Sequence, residues 1–156
     1  MSDVRIRPRP GIAYESDLHA WSKDQAARLR DLRPNSLDWE NIAEEIETLG
    51  RSEKREIESR LCVLLQHLLK WWLQPEGRKP GWRATVIEQR RQLGRTLVEN
   101  PSLAAYPLVI LGEEYEVARL NAAGETNLPE EAFPDTCPFT IEQVLDPDFW
   151  PDAPKP

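Results

Sequence analysis

From Ser52 to Leu73 the chain reads SEKREIESRLCVLLQHLLKWWL, charged for two turns and then apolar almost without a break. Ile57, Leu61, Leu64, Leu65, Leu68 and Trp72 recur at helical spacing and form one broad apolar face. Cys62, Val63, Leu69 and Trp71 carry apolar surface around most of the cylinder, which predicts a helix buried on several sides. Gln66 and Lys70, four residues apart, are left as the stripe facing water. Ser52 suits an N-cap, Glu53 and Glu56 suit the positive end of a helix dipole, and Pro75 and Gly77 end the run. The apolar part, Leu61 to Leu73, falls short of the roughly 20 residues that span a bilayer. A core helix is expected, and no membrane partner.

The rest of the chain supplies neighbours for that helix. Asp17 to Leu32 reads as a first helix capped by Ser16 or Asp17, with Leu18, Trp21, Gln25, Leu29 and Leu32 inward and Pro34 as its stop. A second helix opens at Leu37-Asp38, with Ile42, Ala43, Ile46 and Leu49 inward and Glu40, Glu44 and Glu47 outward. Gly50 is its expected C-terminal stop, so the link to the central helix is a single residue, Arg51. A fourth helix is predicted from about Gly81 to Glu99. Asn100-Pro101 reads as N-cap and first helical position of a fifth, which Pro107 breaks, leaving a main segment from Pro107 to Ala123 ended by Gly124. Half of the 14 prolines lie between Glu125 and Pro156, which excludes another long helix there. Phe133, Phe139, Ile141, Val144, Phe149 and Trp150 nevertheless make this segment too apolar for a disordered tail. It is expected to wrap the bundle, with one short helix opened by a Thr140–Gln143 capping box.

The expected fold class is therefore all-α, a single-domain helical bundle of about five main helices with a proline-rich C-terminal segment wrapping the core. The expected divisions are an extended arm over 1–13, one helical domain over 14–151 and a tail over 152–156. A length of 156 residues fits one domain. Two cysteines, Cys62 and Cys137, make no disulfide framework and read as inert thiols. Arg5, Arg7 and Arg9 precede no apolar signal region, which points to the cytoplasm.

Charge is distributed unevenly. The net charge of -7 argues against a generic nucleic-acid binder. Yet Lys70, Arg78, Lys79, Arg83, Arg90, Arg91 and Arg95 stand within 26 residues against only Glu76 and Glu88, interleaved with Trp71, Trp72 and Trp82. Cations among aromatics are what phosphate contact and base stacking use. Asn35 to Glu58 carries the opposite excess, eight carboxylates against three cations, so the two segments can also pair internally or across a dimer. Glu44, Glu45, Arg60 and His67 form the other polar candidate set, with Glu45 as a partner for His67 across a helix hairpin. Carboxylate and imidazole suit a metal or acid–base site. However, the residue three before His67 is Leu64, so the Glu-x-x-His pair of di-metal bundles is missing. No catalytic residue, metal or cofactor is assigned.

Leu37 to Leu61 (LDWENIAEEIETLGRSEKREIESRL) followed by LLQHLLKW resembles the core signature of the bacterial domain-of-unknown-function family 29. Trp82-Arg83-Ala84-Thr85 with Glu88-Gln89-Arg90-Arg91 is similar to that family's next block. Phe133-Pro134, Cys137-Pro138, Thr140 and Asp148-Phe149-Trp150-Pro151 resemble its close. The resemblance runs from Tyr14 to about Pro151 and implies an all-α bacterial protein with no known activity, so it carries over no catalytic residues. The reading these residues favour is a non-enzymatic helical interaction protein with a protein partner or a second copy of itself. The alternative is a nucleic-acid binder acting through Lys70 to Arg95, and a third is an enzyme built around Glu44, Glu45 and His67.

Overall fold

The computed structural model describes residues 11–33, 35 and 37–153. Residues 1–10 of the arm expected over 1–13, the stop at Pro34 and the end of the tail at 154–156 lie outside them. Five α-helices follow in order: α1 Leu18–Leu32, α2 Trp39–Leu73, α3 Pro80–Glu99, α4 Tyr106–Thr126 and α5 Ile141–Leu145. Single 3₁₀ turns at Pro75–Gly77, Pro101–Leu103 and Glu130–Ala132 join or follow them. No strand occurs among the described residues.

The organising element is longer than the sequence implied. The predicted second and central helices are one helix of 35 residues, α2, about 52 Å long. Gly50 is no C-cap. It is buried within the helix, and no glycine here has positive φ. Its role is close approach: a Cβ at Gly50 would lie well inside contact distance of Ser22 Oγ and 3.0 Å from His19 Nδ1. The expected wet stripe is also dry. Gln66 and Lys70 are both buried, because α4 brings Glu125 over them to accept from Lys70 Nζ. Similarly, α4 runs through Gly124 to Thr126 and ends on Asn127, which is left-handed at φ 57°.

Other expectations are met in detail. Asp17 caps α1 by accepting from Ala20 N, and Asp38 caps α2 by accepting from Asn41 N. Pro107 sits in the first turn of α4, where its missing N–H costs nothing, and the chain before it breaks into a 3₁₀ turn. Thr140 and Gln143 form the capping box of α5. The C-terminal segment wraps the bundle, burying Phe133, Phe139, Ile141 and Val144 in the core. Edge contacts from Trp72 to Phe139 and from Phe139 to Phe149, with ring centroids 5.7 and 5.8 Å apart, dock it on the end of α2. The continuous core unites the C-terminal half of α2 with α3, α4 and this segment, and no residue of α1 belongs to it.

Candidate functional site

α1 and α2 form an antiparallel hairpin: His19 meets Gly50 at one end and Arg33 lies over Trp39 at the other. The packing face of α1 is His19, Ser22 and Ala26, not the predicted Leu18, Trp21, Gln25, Leu29 and Leu32. On α2 the matching face is Ala43 and Gly50. Small side chains let the backbones approach closely, and His19 Nδ1 lies 3.1 Å from the Gly50 carbonyl oxygen.

The predicted apolar faces are thereby turned aside. At 100° per residue, Trp21, Leu29 and Leu32 lie about 50–130° around α1 from its packing face, centred near 100°. Ile42, Ile46 and Leu49 lie about the same angle around α2, in the same rotational sense. Since the helices run oppositely, equal offsets bring both stripes to one side of the hairpin. The opposite offset carries Arg30, Glu44, Glu47 and Arg51, which pair with one another on the other side. The apolar side stays open, with Leu32 60%, Leu37 52%, Ile42 36% and Leu49 46% exposed. A shallow groove of about 480 Å³ runs along α2, lined by Asp38, Asn41, Ile42, Glu45, Ile46 and Leu49. Ile42, Ile46 and Leu49 were expected inside; α3 and α4 cover only the far half of α2, so nothing in the described chain closes over them.

At the base of the hairpin lies a polar hub that sequence reasoning missed. Asn100 is fully buried, its Oδ1 accepting from His19 N at 2.9 Å and its Nδ2 donating to Glu53 Oε2 and the Thr96 carbonyl, each at 2.9 Å. Its side chain is used for these bonds and caps nothing in the turn that follows. Asp17 accepts from the backbone N and Oγ of Ser102. Burial raises the Glu53 carboxyl above its ordinary value, against the Asn100 hydrogen bond. The hub ties α1, α2 and the end of α3 together. Its one sequence signal was an Asn-Pro pair, which reads equally well as a cap.

The polar candidates do not converge. Glu45 and His67 are 22 residues apart on the same helix, about 33 Å, so they cannot pair across a hairpin. His67 Nδ1 lies 2.9 Å from the Val63 carbonyl, and burial pushes the imidazole below its ordinary value. Arg60 pairs with Glu56 and reaches Gln89. Glu44 pairs with Arg30 and Arg51. Among the described residues no three His, Cys, Asp or Glu side chains gather as a metal site.

The basic segment divides in two. Arg91 pairs with Glu88 and Arg95 with Glu99 on the exposed face of α3, and Lys70 is buried against Glu125. Lys70 also lies 4.6 Å from the Trp82 ring, and the other four stand near indoles as well. Arg78 lies 4.7 Å from Trp71, Lys79 5.5 Å from Trp82, and Arg83 and Arg90 lie 5.8 and 5.6 Å from Trp150. Trp71 and Trp150 pack at a 50° tilt with centroids 4.7 Å apart. Arg90 is buried and donates to the Val144 and Gln143 carbonyls.

The fold thus defines an all-helical protein, a helical hairpin carried on a bundle that its own C-terminal segment closes. The model of the domain of unknown function DUF29 matches residues 13–150, and the chain belongs to that family. A crystal structure of an α-helical protein of unknown function from Rhodospirillum rubrum is similar, with a TM-score of 0.76 and 30% identity over 90% of this chain and 93% of that one. No curated protein matches. No helix among the described residues is long and apolar enough to cross a membrane.

Proposed function

We propose that this is a non-enzymatic interaction protein whose α1–α2 hairpin docks face to face on the hairpin of a second copy. The observation that carries this is the apolar side of the hairpin, where Leu32, Leu37, Ile42 and Leu49, which continue stripes that read as core from sequence, stay exposed among the described residues. Two antiparallel helices with apolar residues on one side are half of a four-helix bundle, and a twofold axis completes it with the same surface. The exposed Leu32, Leu37, Ile42 and Leu49 with the half-buried Trp21, Leu29 and Ile46 present roughly 500 Å² of apolar surface, the size of a functional patch. Two copies would bury roughly 1,000 Å², at the lower bound for a specific interface, so a weak, reversible dimer is expected.

Sedimentation velocity over a concentration series tests this. The wild type should shift from monomer toward dimer in the micromolar range, and Ile42→Glu should abolish the shift while leaving helical content unchanged. A monomer at every concentration, or dimerisation indifferent to a charge at Ile42, would overturn the proposal.

A further inference from the structure

The groove on the open side of the hairpin has an apolar floor of Ile42, Ile46 and Leu49 and a polar edge that includes Asp38 and Glu45. Those two acids are left without cations. Asp38 caps α2, and neither it nor Glu45 forms an ion pair among the described residues. On the other side of the hairpin, by contrast, Glu44 and Glu47 are paired with Arg30 and Arg51. An apolar strip edged by unbalanced acid selects a segment that is apolar on one side and cationic on the other.

The chain itself carries such a segment. Residues 1–10, which precede the described ones, read MSDVRIRPRP. Val4, Ile6, Pro8 and Pro10 alternate with Arg5, Arg7 and Arg9, against one acid, Asp3. A residue before proline favours extended backbone, in which alternate side chains take opposite sides. The described chain also delivers this segment to the groove. It runs back along α1 from Asp17, with Tyr14 edge-on to Trp21 at 5.0 Å between ring centroids and Gly11 beside Asp24 and Arg28. His19 lies opposite Gly50 and Arg33 opposite Trp39, which sets Asp24 and Arg28 level with the groove. From the outer side of α1 the groove is about 20 Å away, the breadth of two helices, and ten extended residues reach about 33 Å.

We infer that residues 1–10 fold back over the hairpin of their own chain, with their apolar side on Ile42, Ile46 and Leu49 and their arginines toward Asp38 and Glu45, and so compete with a second copy for this face. The competition rests on the proposed dimer, while the seating rests on the groove and the segment alone. Both copies must be uncovered to associate. A segment seated in about two thirds of the molecules therefore raises the apparent dissociation constant about tenfold.

Disulfide trapping in the full-length protein, oxidised well below the micromolar range, reads the seating where no dimer forms. Ile6→Cys with Ile42→Cys should close a disulfide within one chain several times faster than Ile6→Cys with Glu40→Cys, an exposed position on the charged side. Ile6→Cys alone measures any background from the half-buried Cys62 and Cys137. Combining Arg5→Glu, Arg7→Glu and Arg9→Glu should remove the preference for position 42. With native cysteines, the same three changes should bring self-association in sedimentation velocity to about tenfold lower concentration. Equal rates at positions 42 and 40, a rate indifferent to the charge reversal, or a disulfide joining two chains would overturn the seating. A dimer whose strength ignores the reversal would overturn the competition. An in-chain disulfide in a protein that stays monomeric at every concentration would uphold the seating and remove the dimer instead.

Discussion

Replacing Gly50 with alanine tests the packing of the hairpin directly. In an exposed helix the change stabilises by about 1 kcal/mol through backbone entropy. Gly94→Ala should show that gain, because a Cβ at Gly94 meets nothing within 4 Å. At Gly50 the new methyl meets Ser22 Oγ, which donates to the His19 carbonyl at 2.8 Å, and His19 Nδ1 at 3.0 Å. Turning the Ser22 hydroxyl away leaves a buried polar group unmatched, at about 1–3 kcal/mol. Relieving the contact with His19 Nδ1 by moving the helices apart costs a further ~1–3 kcal/mol. With both costs set against the propensity gain, Gly50→Ala should lose about 1–5 kcal/mol. In a chain of this size each kcal/mol shifts the melting temperature by about 2–4 °C. Calorimetry should therefore show Gly94→Ala melting a few degrees higher than wild type and Gly50→Ala clearly lower. Ser22→Ala removes the obstructing oxygen, so the double variant should recover part of the loss, giving a coupling of about 0.5–3 kcal/mol. If Gly50→Ala melts like Gly94→Ala, or if the two changes at the contact simply add, close approach is not why Gly50 is there.

Three further outcomes follow from groups with named partners. Hydrogen bonding from Lys70 holds the Glu125 carboxyl below its ordinary value, so the bond stabilises above the ordinary carboxylate range and is lost as pH falls through the lowered value. Glu125→Gln leaves a buried lysine unpaired, and its melting deficit should be full at pH 7 and close in acid. Burial pushes the Tyr106 and Tyr115 hydroxyls up to about 12, with Glu58 accepting from Tyr106 and the Pro134 carbonyl from Tyr115. Two of the three tyrosines should therefore stay un-ionised at pH 11 in an ultraviolet titration of folded protein, and ionise together on alkaline unfolding. Burial also raises both cysteine thiols, so Cys62 and Cys137 should react with a thiol reagent at pH 8 far more slowly folded than in denaturant.

The bundle was legible because its signals are local or strongly periodic. Asp17, Asp38 and the Thr140–Gln143 box marked helix starts, Pro107 marked a break, and the apolar run from Leu61 marked the core. The Arg-Trp cluster was half legible. Its residues stood out as a segment, but Trp150, some 60 residues beyond Arg90, joins it only in the fold, and Arg91 and Arg95 leave it by pairing with Glu88 and Glu99. Asn100 was misread because a cap and a buried hydrogen-bond hub look alike in sequence.

The two largest misreadings have one physical cause, and it bears on the proposed dimer. Hydrophobic periodicity assigns the most apolar face of a helix to its neighbour. In this hairpin the contact is made instead by Ser22, Ala26, Ala43 and Gly50, which permit close approach. That choice keeps α2 helical through Gly50, so the predicted stop vanishes. It also rotates Trp21, Leu29 and Leu32 on one helix, and Ile42, Ile46 and Leu49 on the other, away from each other's axis and onto a common side. A hairpin built only to close on itself would gain more by burying those side chains between its helices, at about 25 cal/mol per Å². The backbone contact that forgoes this burial leaves an apolar surface with the breadth of two helices, which a second hairpin can match. Widening the contact should therefore disturb the dimer as well as the monomer. Gly50→Ala should weaken self-association even where it leaves the protein folded, since tilting α1 from α2 misaligns the two stripes.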